Sequence, residues 1–262
     1  MKKIVSLVLC IAMLLCVAPA ALAVNEDVTG TVMIYTSMYQ FVIDMMDEAL
    51  KAEFPNLTPG NDGSFFFYGG TGSLQTKLAG EMETGTLGCD MMLVAEPAYS
   101  LELKEGGWLH SYDTPVKEKL RFPYDEEGYW YPVRVCNMVL AYNPELKTPE
   151  ELPKTFKEFA EDTSLKGRIS MGNPLTSGTA MATIVGLQAK YGDEYFDALG
   201  KQDVMIESGS SALAKLETGE CKVIMILEES VLKKREEEGS TLGWFIPDDG
   251  DVLVPSTVMT VA

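Results

Sequence analysis

Short apolar runs alternate along this chain with segments whose apolar residues recur at helical spacing. Runs at residues 30–37, 65–68 and 88–94 predict buried strands, since each is apolar and bounded by turn residues. Between them, the spacing predicts helices at 41–54 and 74–82. Repetition of strand, turn and helix predicts an α/β fold with a parallel sheet and right-handed crossovers.

A longer apolar strand is predicted at residues 133–142, ending at Asn143 and Pro144. We expect this strand to carry the chain into a second lobe. The pattern beyond it predicts helices at 149–162, 176–191, 193–199, 208–216 and 229–238, and strands at 169–174, 222–227, 244–247 and 252–261. Residues 108–130 are aromatic and irregular by comparison.

The N-terminus has the pattern of a cleaved secretory signal. Lys2 and Lys3 precede an uncharged apolar run at residues 4–17, and an A-x-A cleavage pattern ends at Ala23. The run is shorter than the roughly 20 residues that a membrane-spanning helix needs. We therefore expect cleavage after Ala23 and export to the periplasm or the extracellular face.

Acidic residues outnumber basic ones. The 262 residues include 39 Asp and Glu but 21 Lys and Arg, a formal net charge of −18, and removal of residues 1–23 makes it −20. This balance argues against a nucleic-acid partner, because clustered Lys and Arg provide affinity for phosphate backbones. It also argues against docking on an anionic membrane surface.

Metal and catalytic motifs have little support in the residues. Cys89, Cys136 and Cys221 lie at wide spacing in apolar runs, which is typical of small buried side chains. A zinc site needs several His or Cys ligands, and His110 is the single histidine. No Walker loop, dinucleotide fingerprint or G-x-S-x-G is present. We expect no metal site, no cofactor and no enzyme activity, with a secreted hydrolase that uses His110 as the distant alternative.

Four turns share one design, in which a strand ends, glycine or hydroxyl-bearing residues follow, and a helix begins. They lie at residues 36–37, 71–73, 177–179 and 208–211. The carboxyl ends of parallel strands meet at one edge of a sheet, and free amides at a helix start attract an anion. The alternative, that each hydroxyl only caps its helix, stays open. The candidate ligand-binding residues are Thr36, Ser37, Thr71, Gly72, Ser73, Ser177, Gly178 and Thr179.

Two adjacent acids, Glu228 and Glu229, follow the apolar strand at 222–227. One interpretation places them in the first turn of the next helix, where they interact favourably with the helix dipole. The other makes them ligand-binding groups in a cleft, where they would accept hydrogen bonds from sugar hydroxyls or an ammonium group.

The order of these motifs resembles that of the solute-binding proteins of ABC importers, in the branch of ferric-iron, sugar-phosphate and phosphonate (2-aminoethylphosphonate) binders. The likeness extends over nearly all of residues 30–262. It is carried by VMIYTS at 32–37, GTGS at 70–73, Cys89 with Asp90, GWL at 107–109, LAYNP at 140–144, KGRI at 166–169, GNP at 172–174, SGT at 177–179, Gly219 with Glu220, and PDDG at 247–250.

The resemblance implies a two-lobed periplasmic-binding-protein fold of type 2. Each lobe would be a mostly parallel sheet flanked by helices, with the ligand cleft between the lobes. Lobe 1 is expected at residues 24–134, lobe 2 at 135–245, and a return to lobe 1 at 246–262. A monomer would bind one small solute in the cleft and deliver it to a membrane ABC permease.

Ferric-binding members of this branch carry adjacent tyrosines, as iron ligands, after the strand that corresponds to residues 223–227. Glu228 and Glu229 stand at or near those positions here, and no Tyr follows Tyr195. The sequence is more similar to the binders that hold a phosphoryl group with Ser and Thr at helix starts. We therefore expect a small phosphate- or phosphonate-bearing organic solute. A ferric-iron binder and a binder of a polyamine- or thiamine-type cation are the alternatives.

Members of this family usually continue with more helices after the strand that corresponds to residues 258–262. A truncated C-terminus is therefore a further expectation from the resemblance.

Overall fold

The computed structural model describes residues 24–262, which fold into twelve strands and eight α-helices. The strands are β1 Gly30–Val32, β2 Ile34–Thr36, β3 Leu57–Pro59, β4 Phe66–Tyr68, β5 Met91–Val94, β6 Leu109–His110, β7 Trp130–Tyr142, β8 Ile169–Gly172, β9 Met205–Glu207, β10 Val223–Leu227, β11 Gly243–Phe245 and β12 Val252–Val261. The helices are α1 Gln40–Glu53, α2 Thr71–Thr84, α3 Pro97–Glu105, α4 Phe156–Glu161, α5 Gly178–Tyr191, α6 Asp193–Gly200, α7 Gly209–Glu217 and α8 Glu228–Glu238.

Lobe 1 is built on parallel strands, because β2 pairs in parallel with β4 on one side and with β5 on the other. Successive residues of a strand point to opposite faces, so Ile34 and Tyr35 enter different cores. Leu78 of α2 and Leu103 of α3 pack on the Tyr35 face, whereas Ile43 of α1 packs on the Ile34 face. The sheet is therefore covered by helices on both faces.

Lobe 2 repeats this arrangement with its own pair of cores. β8 pairs in parallel with β10 and β9, while β7 pairs antiparallel with β10. Phe156 of α4 and Leu187 of α5 pack on one face with Met225. Leu213 of α7 packs on the other face with Ile224.

Two long antiparallel strands, β7 and β12, connect the lobes. Val252 and Val254 of β12 enter a core of lobe 2, whereas Met259 and Val261 of the same strand enter a core of lobe 1. The β7–β12 register shifts between Ser256 and Thr257, between these two parts. One mixed ten-stranded sheet thus runs through both lobes, and the predicted α/β architecture is confirmed. The lobe boundaries at 134/135 and 245/246 stay a prediction.

Two of the predicted elements are interrupted in the structure. The strand predicted at 30–37 is divided at Met33, whose amide donates to the Asp90 carboxylate at 2.8 Å, so β1 and β2 join different sheets. The helix predicted at 149–162 is divided into a 3₁₀ turn, Pro149–Glu151, and α4. Pro153 accounts for this break, since it lacks an amide hydrogen and keeps the preceding Leu152 extended.

The predicted signal segment, residues 1–23, lies outside the described residues. Among residues 24–262, no helix combines the length and the apolar character needed to cross a membrane.

Candidate functional site

Five helices begin around one cavity between the lobes. The cavity has a volume of about 710 Å³, and residues at the starts of α1, α2, α5, α7 and α8 line it. Each start follows the carboxyl end of a strand or the loop after it, which is where open α/β sheets bind ligands. Aligned peptide dipoles give each helix start a partial positive charge. The cavity is therefore suited to an anionic group.

The helix starts differ in how their amides are satisfied. Ser177 caps α5 by accepting from the Ala180 amide at 3.3 Å, and Ser208 caps α7 by accepting from the Ser211 amide at 3.1 Å. In contrast, α1, α2 and α8 begin without a side-chain cap, and α2 does so after Gly70. The first amides of α2 consequently have no hydrogen-bond acceptor within residues 24–262.

The lobes meet through backbone on the side of the cavity formed by α2 and α5, hereafter the α2–α5 side. A Cβ added at Gly72 would lie 2.6 Å from the carbonyl oxygen of Leu175, and one at Gly178 would lie 2.7 Å from Thr71 Oγ1. Both glycines are required for this approach, because real Cβ atoms do not come so close to other atoms. The Thr71 hydroxyl also donates to Ser37 Oγ at 3.1 Å.

The lobes meet through side chains on the opposite side, hereafter the α1–α8 side. Tyr39, just before α1, forms a 2.9 Å hydrogen bond with Ser230 of α8. The Arg134 guanidinium of β7 lies 5.4 Å from the Tyr39 ring centroid, and Lys233 Nζ lies 4.7 Å from the Phe41 ring centroid. Burial raises the pKa of Tyr39 to about 12, so its hydroxyl stays protonated at neutral pH.

The carboxylates that line the cavity already have cationic partners. The nitrogen–oxygen distances are 3.2 Å for Arg134–Glu229, 3.1 Å for Lys215–Glu207 and 2.6 Å for Lys234–Glu238. These pairs cancel most of the local negative charge, whatever the net charge of the chain. The helix starts then add positive potential, which favours an anion over a cation.

Six of the ten residues predicted for the site line the cavity: Ser37, Thr71, Ser177, Gly178, Thr179 and Glu229. Ser208, Gly209 and Ser210 line it as well, so the structure brings all four predicted turns and the start of α8 together.

The other four predicted residues are described but do not line the cavity. Thr36 is fully buried, and its hydroxyl accepts from the Met38 amide at 3.1 Å. Ser73 is exposed on α2, and Gly72 is packed against Leu175. Glu228 accepts from the Asn137 side chain at 3.4 Å. The side chains of Thr36 and Glu228 thus have structural contacts, while Gly72 and Ser73 lie in the first turn of α2 and contribute backbone amides there.

Sequence reasoning missed several residues that line the cavity, above all Arg134, Tyr39 and Tyr68. Arg134 was detectable in principle, because it is the one charged residue inside the apolar strand β7. An unpaired charge there is costly, so a functional or paired position could have been inferred. Tyr39 and Tyr68 flank the turns predicted at residues 36–37 and 71–73, but nothing in their spacing indicates that they line a cavity.

Cysteine and histidine side chains of the described residues are buried or lie away from the cavity. Among residues 24–262, no group of three or more His, Cys, Asp or Glu side chains is arranged to hold a metal ion. Cys89 and Cys221 are buried, and burial raises their pKa values to about 12 and about 11. His110 is exposed on β6, where it pairs with Thr260 of β12 away from the cavity lining.

A family model supports the class of protein that this fold and cavity indicate. The model for bacterial extracellular solute-binding proteins matches residues 66–259, about three-quarters of the chain. The chain therefore belongs to the bacterial extracellular solute-binding proteins, which are non-enzymatic components of ABC transporters and bind small solutes. No curated protein sequence matches the chain.

Solved structures confirm the periplasmic-binding-protein fold. A substrate-binding protein of an ABC transporter from Agrobacterium tumefaciens superposes with a TM-score of 0.74 at 19% identity, over 92% of this chain and 72% of that one. Iron-bound HitA from Pseudomonas aeruginosa gives 0.73 at 20%, over 88% and 75%. AfuA from Actinobacillus pleuropneumoniae, with fructose-6-phosphate bound, gives 0.73 at 21%, over 90% and 75%.

Proposed function

We propose that this protein captures a small organic solute that carries a phosphate or phosphonate group, for delivery to a membrane ABC permease. It would act as a monomer, with lobe 1 at residues 24–134 and 246–262 and lobe 2 at 135–245. The lobes would close on the solute by bending at β7 and β12, the strands they share.

The convergence of helix starts on one cavity is the observation that carries this proposal. Ser37, Thr71, Ser177 and Thr179 line the cavity beside the uncapped amides of α2, and Ser37, which accepts the Thr71 proton, keeps its own proton for a ligand. Several donors around one point are the arrangement that binds a phosphoryl group, whose oxygens are strong acceptors. AfuA, which has the same fold, is described with fructose-6-phosphate bound.

The charge pairs disfavour a polyamine or a thiamine-type cation. Such a ligand needs carboxylates that are free to pair with it, yet Glu207 and Glu229 are engaged by Lys215 and Arg134. Displacing Arg134 from Glu229 would leave the arginine unpaired in the cavity wall, which costs free energy.

Iron is a weaker candidate than a phosphoryl group, because the Tyr39 hydroxyl is not available as a phenolate ligand. HitA is described as iron-bound, and Tyr39 and Tyr68 are tyrosines that line the cavity here. A phenolate ligand must lose its proton, however, and the raised pKa of Tyr39 opposes this. Its hydroxyl is also bonded to Ser230.

A thermal-shift screen with matched pairs of compounds tests the proposal. The pairs are glucose 6-phosphate with glucose, and 2-aminoethylphosphonate with ethanolamine, alongside spermidine, thiamine and ferric citrate. We expect a rise in stability with the phosphorylated member only, about 2.7 kcal/mol at a ligand concentration near 100 Kd. A shift with ferric citrate and a new visible absorption band, without any shift from phosphorylated compounds, would contradict the proposal.

A further inference from the structure

Tyr68 is an exposed aromatic residue in the wall of the cavity, and its ring has no partner. The side chain is 58% exposed, although the residue lines the cavity. No ring, cation or hydrogen-bond partner of this side chain is found among residues 24–262. Burial of a free aromatic face against a ligand is favourable, because it removes a large apolar area from water.

Phe41 provides a comparison within the same cavity. It is also exposed, at 45%, and lines the cavity from lobe 1. Its ring, however, already stacks on Tyr39 at a centroid distance of 5.9 Å and lies beneath Lys233. Phe41 is thus engaged in the contact between the lobes, whereas Tyr68 is available to a ligand.

Tyr68 is close to the amides that are proposed to hold the phosphoryl group. It ends β4, and only Gly69 and Gly70 separate it from Thr71, the first residue of α2. Three residues span at most roughly 10 Å even when extended. One small ligand can therefore contact the Tyr68 ring and the start of α2 at the same time.

Several hydrogen-bond acceptors in the cavity wall already have partners, which makes them less available to a sugar. Each hydroxyl of a sugar ring needs an acceptor, or its desolvation is uncompensated. Both carboxylate oxygens of Glu207 are engaged, by the Lys215 ammonium and by the Ser170 hydroxyl, and Asn173 Oδ1 accepts from the Leu175 amide at 2.9 Å. Ser177 and Thr179 are hydrogen-bonded to each other at 2.9 Å. A ligand with few hydroxyls loses least on entering this cavity.

From these observations we infer that the organic part of the ligand is a flat aromatic ring that stacks on Tyr68 while its phosphate or phosphonate group lies at the start of α2. The ligand class is an aryl or heteroaryl phosphate or phosphonate, in preference to a polyhydroxy sugar phosphate. This inference rests on the proposed function and narrows it.

Calorimetric titration of the full chain with three probes tests the preference for a ring. The probes are inorganic phosphate, phenyl phosphate and glucose 6-phosphate, which share the phosphoryl group and differ in the organic part. We expect phenyl phosphate to bind about tenfold more tightly than glucose 6-phosphate. Equal or tighter binding of glucose 6-phosphate would overturn the inference. If none of the three probes binds, the proposed function itself fails, and that result is distinct from phosphate binding without a ring preference.

Variants of Tyr68 assign the preference to its ring. We expect Tyr68→Ala to lower the affinity for phenyl phosphate about tenfold and to change the affinity for inorganic phosphate less than twofold. Tyr68→Phe should keep both affinities. Tyr112→Ala is the matched control, since Tyr112 is 57% exposed and does not line the cavity. An equal loss for all three probes in Tyr68→Ala would contradict stacking, as would an unchanged affinity for phenyl phosphate. A loss in Tyr112→Ala as large as that in Tyr68→Ala would also contradict it.

Discussion

The two sides of the cavity join the same lobes in different ways. On the α2–α5 side, Gly72 and Gly178 allow backbone to approach backbone and Thr71. On the α1–α8 side, contact is made by the side chains of Tyr39, Ser230 and Lys233. The first contact has no spare volume, while the second depends on side chains that can change rotamer.

The difference separates two tasks that a solute-binding cleft must perform. In the proposed complex, backbone contact on the α2–α5 side would place amides and small hydroxyls close to the ligand, where rigid donors bind an anion well. Side-chain contact on the α1–α8 side would add charge through Arg134, whose guanidinium pairs with Glu229 and lies against the Tyr39 ring. Substitutions should therefore be tolerated worse on the first side than on the second.

The largest expected effect comes from adding a methyl group on the α2–α5 side. In Gly72→Ala the new Cβ would meet the Leu175 carbonyl at 2.6 Å, so the lobes cannot approach as closely. We expect affinity for phenyl phosphate to fall about 100-fold, measured by calorimetry, equivalent to about 2.7 kcal/mol. The free energy of unfolding should not fall by a similar amount, because the separated lobes keep their own cores.

Gly80→Ala is the matched control within the same helix. Gly80 is exposed in α2, and a Cβ there would meet nothing within 4 Å. We expect unchanged affinity and a stability gain of about 0.5–1 kcal/mol, because alanine has the higher helix propensity. If Gly72→Ala binds as well as Gly80→Ala, the backbone contact does not control binding.

Removing the charge of Arg134 is the next largest expected effect, on the α1–α8 side. Charge-assisted hydrogen bonds to phosphoryl oxygens are among the stronger polar contacts. We expect Arg134→Gln to lower the affinity for phenyl phosphate about thirtyfold, which is equivalent to about 2 kcal/mol. Stability should fall by about 1 kcal/mol, since the half-exposed Glu229 loses its partner.

A double variant separates binding from stability at this position. Glu229→Gln in the Arg134→Gln background removes the unpaired carboxylate, so unfolding by urea should show stability near that of the unmodified protein. Affinity should stay low, because the cation is still missing. Recovery of both properties together would show that Arg134 acts only through its ion pair.

Elements with strong periodicity could be predicted from the sequence, and weak ones could not. The apolar spacing of α1 fits only a helix, and the five-residue apolar run of β10 fits a buried strand. Helix α3 was missed because Tyr99 and Leu103 are its only large buried side chains, too few to show a period. β3 and β6 have three and two residues, which is too short for alternation to be recognised.

The same limit applies to the cavity. Hydroxyl turns at strand ends could be predicted to converge, because parallel strands share one carboxyl edge. The Arg134–Glu229 pair could not, since it joins residues 95 positions apart and depends on the antiparallel register of β7 with β10. Whether an individual Ser binds a ligand or caps a helix depends on rotamers that spacing does not determine: Ser177 does cap α5.

A smaller effect is expected where a hydroxyl both caps a helix and lines the cavity. Ser177→Ala should lower the free energy of unfolding by about 1 kcal/mol and affinity for phenyl phosphate about tenfold. Thr155→Ala is the matched control, because Thr155 caps α4 by accepting from the Glu158 amide at 3.0 Å and does not line the cavity. It should lose similar stability in thermal unfolding with unchanged affinity. Equal affinities in the two variants would mean that Ser177 only caps α5 and does not bind the ligand.

The smallest effect is expected for Tyr39→Phe on the α1–α8 side. Loss of the hydrogen bond to Ser230 should lower the affinity for phenyl phosphate about threefold. It should also lower the free energy of unfolding by about 1 kcal/mol at pH 7. Because burial raises the pKa of Tyr39 to about 12, its contribution is fully present below pH 10, the ordinary tyrosine value, and is lost as pH rises toward 12. Urea unfolding of both proteins should thus show a constant difference from pH 6 to 9 that narrows above pH 10. A difference that already disappears by pH 8 would mean that Tyr39 ionises easily, which would restore a phenolate ligand for iron.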